Sequence, residues 1–121
     1  MRLFIAHSSD FDFKNKLYAP LRESVLNSEH EISLPQEGEK EEITREMIKE
    51  CDALIADVSK PSLGAGIEMG WANAFNVPII AMSEKGSHVS FSINNVVQEH
   101  IVYENPDDMI EKLTASLQKF Q

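Results

Sequence analysis

Two carboxylates and the turn between them are the residues of this chain best suited to chemistry. Asp57 ends the apolar run Ala53-Leu54-Ile55-Ala56, and Glu68 follows the segment Ser59-Lys60-Pro61-Ser62-Leu63-Gly64-Ala65-Gly66. Glycines that open a helix directly after a turn let backbone N–H groups approach an anion, and the helix dipole favours negative charge there. Ser62 adds a hydroxyl donor. A tight strand-to-helix turn accounts for Gly64 and Gly66 equally well. The spacing is neither a P-loop, which needs Gly-Lys-Ser/Thr, nor the full dinucleotide fingerprint.

Glu68 falls in the first turn of the expected helix. There it either complements the dipole and does nothing else, or, kept ionised by the same field, serves as a nucleophile. That field argues against a general acid, which needs a raised pKa. Asp57 can orient a hydroxyl or share a proton transfer; a turn-forming acid is the plainer reading. Tyr18 lies one position off the apolar stripe of an earlier helix, so its hydroxyl either reaches toward the loops or packs at the rim. Trp71 and Phe75 read as core or subunit interface rather than as a platform for a base. The four histidines and Cys51 are dispersed without metal-ligand spacing, and no GxSxG elbow is present. Neither a metal nor a cofactor is expected.

The elements that must hold these residues alternate along the chain. Residues 2–7 form a short apolar strand, followed by the polar loop His7-Ser8-Ser9-Asp10. Phe13, Leu17, Leu21 and Val25 recur at helical spacing across residues 11–27, with Pro20 inside as a possible kink. Residues 31–34 read as a weak strand closed by Pro35, and residues 41–49 as a helix with Ile43, Met47 and Ile48 inward. Residues 52–57 give the strongest strand signal. A helix over 65–76, a strand over 77–82, a short helix within 89–98 and a strand over 100–103 follow. Asn105-Pro106 starts a last helix lined by Ile110, Leu113, Leu117 and Phe120.

Strands alternating with helices argue an α/β fold with a parallel sheet. Right-handed crossovers leave the order 2-1-3-4-5 as the expectation. The chain reverses between the first and third strands, and ligands bind at such a switch point, beyond the strands' C-terminal ends. That places His7 and Ser8 beside the Asp57–Gly66 loop as substrate-binding candidates.

Composition narrows the class. The 121 residues fit a single domain, 1–121, and carry 20 acidic against 11 basic residues, a net charge of −9. A duplex nucleic-acid binder would show a basic patch, so no nucleic-acid polymer is expected as partner. The acidic run of residues 37–50 reads as a solvated helix face. No apolar run reaches membrane-spanning length, so no membrane partner is expected, and the start reads as a strand rather than a signal peptide. One cysteine and no export signal make a cytoplasmic location the expectation.

The segment Asp52-x4-Asp57-Val58-Ser59-x-Pro61-Ser62-x-Gly64-x-Gly66-x-Glu68-x-Gly70-x-Ala72 resembles the nucleoside 2-deoxyribosyltransferase superfamily, and within it the 2'-deoxynucleoside 5'-phosphate N-hydrolase branch. The resemblance implies a flavodoxin-like, Rossmann-type doubly wound five-stranded parallel sheet and a homodimer acting on a small nucleoside or nucleotide. By position, Glu68 resembles the catalytic nucleophile that attacks C1' of the deoxyribose. Ser62 resembles a serine that contacts the 5'-phosphate, Gly64 and Gly66 the glycines of the same loop, and Tyr18 a tyrosine at the sugar site. Ser90 or Ser92 matches a serine donated by the partner subunit. The implied reaction is a double displacement parallel to that of retaining glycosidases.

This chain departs from that pattern twice. Thr44 stands where the family usually has a catalytic acid, and His7-Ser8-Ser9 replaces a glycine-rich segment. The first departure favours an alternative: a non-catalytic nucleotide-binding module of the same fold. Signalling domains share the architecture, and Phe4 to Ser9 faintly resembles the opening of TIR domains. Their Trp-Cys-x-x-Glu helix is missing, however. A response regulator would need an acidic pair where this chain has His7-Ser8.

Overall fold

The computed structural model describes residues 1–121. Five parallel strands form one sheet in the order β2-β1-β3-β4-β5, as expected. They are β1 (Arg2–Ala6), β2 (Glu31–Ser33), β3 (Ala53–Asp57), β4 (Ile79–Glu84) and β5 (Glu99–Tyr103). In the interior strands successive side chains enter opposite cores. Leu3, Ile5, Ile55, Ile80 and Met82 pack on one face, under α1 (Ala19–Glu23) and α5 (Pro106–Gln118). Phe4, Ala6, Leu54, Ala56 and Ala81 pack on the other, under α3 (Arg45–Lys49) and α4 (Leu63–Ala74). Ala6 pairs with Ala56, and Ala56 with Ala81. This row of methyl groups, facing the buried Ala65 and Ala72 of α4, brings that helix close to the sheet.

β4 lies two residues later than the expected 77–82. Three helix boundaries also differ from those expected, each through a side chain that bonds the backbone. The helix expected over 11–27 is a π-helical turn, Lys14–Tyr18, running into α1, then a break at Ser24 and the short α2 (Leu26–Glu29). Ser24 is extended, with φ −90° and ψ 166°; its hydroxyl donates to Leu21 O at 2.8 Å and accepts from Leu26 N–H at 3.2 Å. The break turns Val25 outward, 55% exposed. The helix expected over 41–49 begins only at Arg45, because Thr44 is its N-cap and accepts from Met47 N–H at 3.4 Å. Residues 34–44 are therefore a loop, and the acidic run lies on a helix only in its last part, where α3 exposes Glu46. Ile48 is buried, but Met47 is 37% exposed. Finally, α4 starts earlier than expected, because Ser62 caps it by accepting from Ala65 N–H at 3.1 Å. Asn76, with φ 59°, then turns the chain out of the helix toward β4. The short helix expected within 89–98 is a 3-10 turn, Phe91–Asn95. No helix is long and apolar enough to cross a membrane.

Candidate active site

Beyond the C-terminal ends of β1 and β3 lies an open cleft of about 520 Å³, within the range of small-molecule sites. Three segments wall it: the β1 loop with His7 and Ser8, the loop of residues 34–44, and the start of α4 with Ser62, Gly64 and Glu68. Five of the residues singled out in the sequence thus share one space.

Glu68 is the sixth residue of α4 and not part of its first turn, because Ser62 sets the helix start. The dipole's influence fades within the first turn, so burial dominates. It pushes the Glu68 carboxyl up to about 7. The expectation that the helix field keeps this group ionised gives way to a carboxylate poised between its two forms near neutrality.

His7 and Tyr18 form a fixed relay behind the cleft wall. His7 Nδ1 faces the Ser8 carbonyl at 3.0 Å. A carbonyl only accepts, so that nitrogen carries the proton and Nε2 is the acceptor. The Tyr18 hydroxyl therefore donates to Nε2 at 2.7 Å, and it accepts from Gln36 N–H at 3.1 Å. Burial lowers the His7 pKa, against the raising effects of the Ser8 carbonyl and the Asp57 charge, which keeps the ring neutral. Burial pushes the Tyr18 phenol up to about 12; the Gln36 N–H opposes this, and the charges of Glu37, Glu68 and Glu41 add to it. Tyr18 is 5% exposed, and its proton is committed to His7. It supports the cleft from beneath.

Ser8 is buried, its hydroxyl accepting from Asp10 N–H at 3.0 Å. The Ser62 oxygen accepts from the helix, and its O–H remains a donor. Gly64 lies on the cleft, where an added Cβ would meet only Ser62 Oγ, at 3.9 Å. The fold does not demand glycine there; its bareness keeps the cleft floor open.

Asp57 is not among the residues lining the Glu68 cleft. It is 1% exposed; one oxygen accepts from Ser59 N–H at 2.9 Å and the other from the Tyr103 hydroxyl. Ser59 Oγ in turn accepts from Glu84 N–H at 2.8 Å. These bonds tie the ends of β3, β4 and β5 and anchor the loop that leads into α4. Burial raises the Asp57 pKa, partly offset by Tyr103 and Ser59. Gly66, Ser90 and Ser92, with Asp57, line a second cleft of about 470 Å³. Pro61, Ser62, Leu63 and Ala65 border both spaces, so their loop is the ridge between them.

The sequence reading missed Gln36, Lys40 and Glu41, which the 34–44 loop brings to the cleft. Pro35 and Gly38 signal a loop over residues 36–40, to which the sequence reading gives no role, and Glu41 falls at the start of the helix expected over 41–49. Nowhere do three or more His, Cys, Asp or Glu side chains gather as a metal site would require.

Several known proteins resemble this chain in sequence or in fold. A protein of Thermofilum pendens, provisionally named 2'-deoxynucleoside 5'-phosphate N-hydrolase 1, is 36% identical over 76 residues, covering 59% of this chain and 53% of its own. A protein of the same name from Syntrophotalea carbinolica is 44% identical over 45 residues, 37% of this chain and 32% of its own. The matched stretches thus span about half and a third of these curated relatives.

Among solved structures, a CMP N-glycosidase of Clostridium botulinum has a TM-score of 0.69 at 26% identity, covering 94% of this chain and 99% of that one. A 2-deoxyribosyltransferase of Bacillus psychrosaccharolyticus has a TM-score of 0.65 at 18% identity over 90% of each chain. A signal receiver domain from Vibrio parahaemolyticus has a TM-score of 0.59 at 15% identity, covering 98% of this chain and 91% of that one. These last two likenesses speak to the fold alone. The family model described as nucleoside 2-deoxyribosyltransferase matches residues 4–112, and the chain belongs to that family.

Proposed function

We propose that this chain cleaves, or transfers a base across, the N-glycosidic bond of 2'-deoxynucleosides or 2'-deoxynucleoside 5'-monophosphates, with Glu68 as nucleophile. The observation that carries this reading is Glu68 itself, half-buried on the wall of a nucleotide-sized cleft with a pKa of about 7. A carboxylate desolvated in this way is more nucleophilic than one in water, yet a useful fraction is ionised at neutral pH. The capped start of α4, with its backbone N–H groups and the Ser62 hydroxyl, suits a 5'-phosphate. His7 and Ser8 face the same space, and Tyr18 holds His7 in place.

Ser90 and Ser92 lie across the ridge from Glu68. Their entry into a catalytic cleft requires a second copy of the chain. Leu63 at 84%, Phe91 at 86% and Ile67 at 46% exposure offer apolar surface for such a homodimer, and light scattering that returns the mass of one chain would refute it.

A second substrate reading, on ribonucleotides, is favoured by the CMP N-glycosidase likeness over nearly the whole chain. The deciding experiment offers deoxynucleosides, deoxynucleoside monophosphates and CMP, scored by chromatography for free base. Release from a deoxy substrate, abolished in Glu68→Ala, is the expected result. Release from CMP alone selects the ribonucleotide reading. Nucleotide-induced thermal stabilisation with no turnover of any substrate selects the non-catalytic binding module.

A further inference from the structure

A nucleobase that leaves C1' carries away the electron pair of the broken bond and needs a proton on its ring. Glu68 cannot give that proton while it attacks as a carboxylate. Thr44 cannot give it either, since an alcohol is too weak an acid for the task and Thr44, the N-cap of α3, is not among the residues that line the cleft. The donor must come from the rest of the cleft.

Three carboxylates line that cleft: Asp10, Glu41 and Glu68. Glu41 belongs to the 34–44 loop, which is pinned at several points. Gln36 N–H bonds the Tyr18 hydroxyl at 3.1 Å, Arg22 grips Glu37 at 2.8 and 2.9 Å, and Glu41 N–H bonds Pro35 O at 3.2 Å. The Glu41 carboxylate itself is exposed and takes part in no ion pair. Ile43, two positions on, and Trp71, one helical turn beyond Glu68, supply apolar wall to the same cleft. Such a face suits the flat surface of a base. Glu37 is held by Arg22. Asp10, on the β1 loop, also lines the cleft, and Glu41 differs from it in standing beside the apolar wall, two positions from Ile43.

Resting on the glycosidic reading above, we propose that Glu41 is the acid–base residue that protonates the departing base. In the first step a Glu68 oxygen forms a bond to C1' as the C1'–N bond breaks. The electron pair goes to the base nitrogen, which takes the proton of the Glu41 carboxyl. In the second step the Glu41 carboxylate takes a proton from water, or from an incoming base, as that nucleophile bonds C1'. The C1'–O bond to Glu68 breaks and returns Glu68 as a carboxylate. Both glutamates end as they began.

The test compares kcat/KM, which reports the first step, on two substrates. One is a deoxynucleoside monophosphate; the other is 4-nitrophenyl 2-deoxyriboside 5-phosphate, whose leaving group departs without a proton. Glu41→Gln is expected to lose about 100-fold or more on the nucleotide and less than about fivefold on the nitrophenyl compound. Glu68→Ala is expected to lose both activities. A Glu41→Gln loss below about fivefold on the nucleotide, or an equal loss on both substrates, overturns the role of Glu41 and leaves Glu68 standing. A loss confined to the nucleotide in Asp10→Asn instead moves the role to Asp10 and also overturns it. A wild type that releases neither leaving group overturns the glycosidic reading, and the assignment of Glu41 with it.

Discussion

Glu68 gains its reactivity from what surrounds it. Desolvation raises its pKa to about 7, so kcat/KM should climb with pH through that region as the nucleophile ionises. The same shift has a stability consequence. A carboxyl whose folded pKa lies above its unfolded value contributes stability that is fully present below the unfolded value. It is lost as pH rises through the folded one. Glu68→Gln should therefore melt higher than wild type at pH 8, by about a few degrees, and the gap should close toward pH 4. Calorimetry at the two pH values checks this; a constant gap would show that the shift is not there. The glutamate and its loop were legible as residue types at telling positions. Its ionisation was not, because the burial comes from segments distant in sequence. The partners of Tyr18 were hidden for the same reason: His7 and Gln36 reach it from separate strand ends.

At the scale of elements, four strands could be read to within a residue at each end, and β4 lies two residues later than the expected 77–82, because Pro78 keeps residues 77 and 78 out of the strand. The helices were harder, because their ends are fixed by single hydroxyls. Ser24, Thr44 and Ser62 each bond nearby backbone, and hydrophobic periodicity says nothing about such bonds. Thr44 gives the sharpest check. Thr44→Ala should cost about 1 kcal/mol through loss of the cap, measured by denaturant titration. Thr44→Asp should keep the cap and hold near wild-type stability. Because position 44 serves the helix end, Thr44→Asp should not restore activity to Glu41→Gln. Restoration would mean that side chains at 44 do reach the cleft.

For the whole molecule, the strand order followed from alternation and handedness, and so did the site's location at the switch between β1 and β3. The division of that edge into two clefts did not, since it depends on how the Pro61–Ala65 ridge is anchored. The Asp57–Tyr103 and Ser59–Glu84 bonds supply the anchor. Tyr103→Phe should destabilise the fold by about 1–3 kcal/mol, the cost of an unpartnered buried acceptor. Burial raises the pKa of Asp57 and Tyr103 opposes that rise, so the variant's deficit should grow with pH as an unaided Asp57 is forced to ionise. A pH-independent deficit would argue for lost packing alone.

The paired alanines at 6, 56 and 81 set the height at which α4 rests above the sheet. Glu68 projects from that helix, while His7 and Ser8 project from the sheet's own edge. The distance between nucleophile and substrate-binding loop is thus gauged by three methyl groups beneath the helix. Adding carbon at any of them, though Ala56 and Ala81 lie outside the cleft, would lift the nucleophile away from the sugar. Catalytic precision here is partly a matter of how small the floor residues remain.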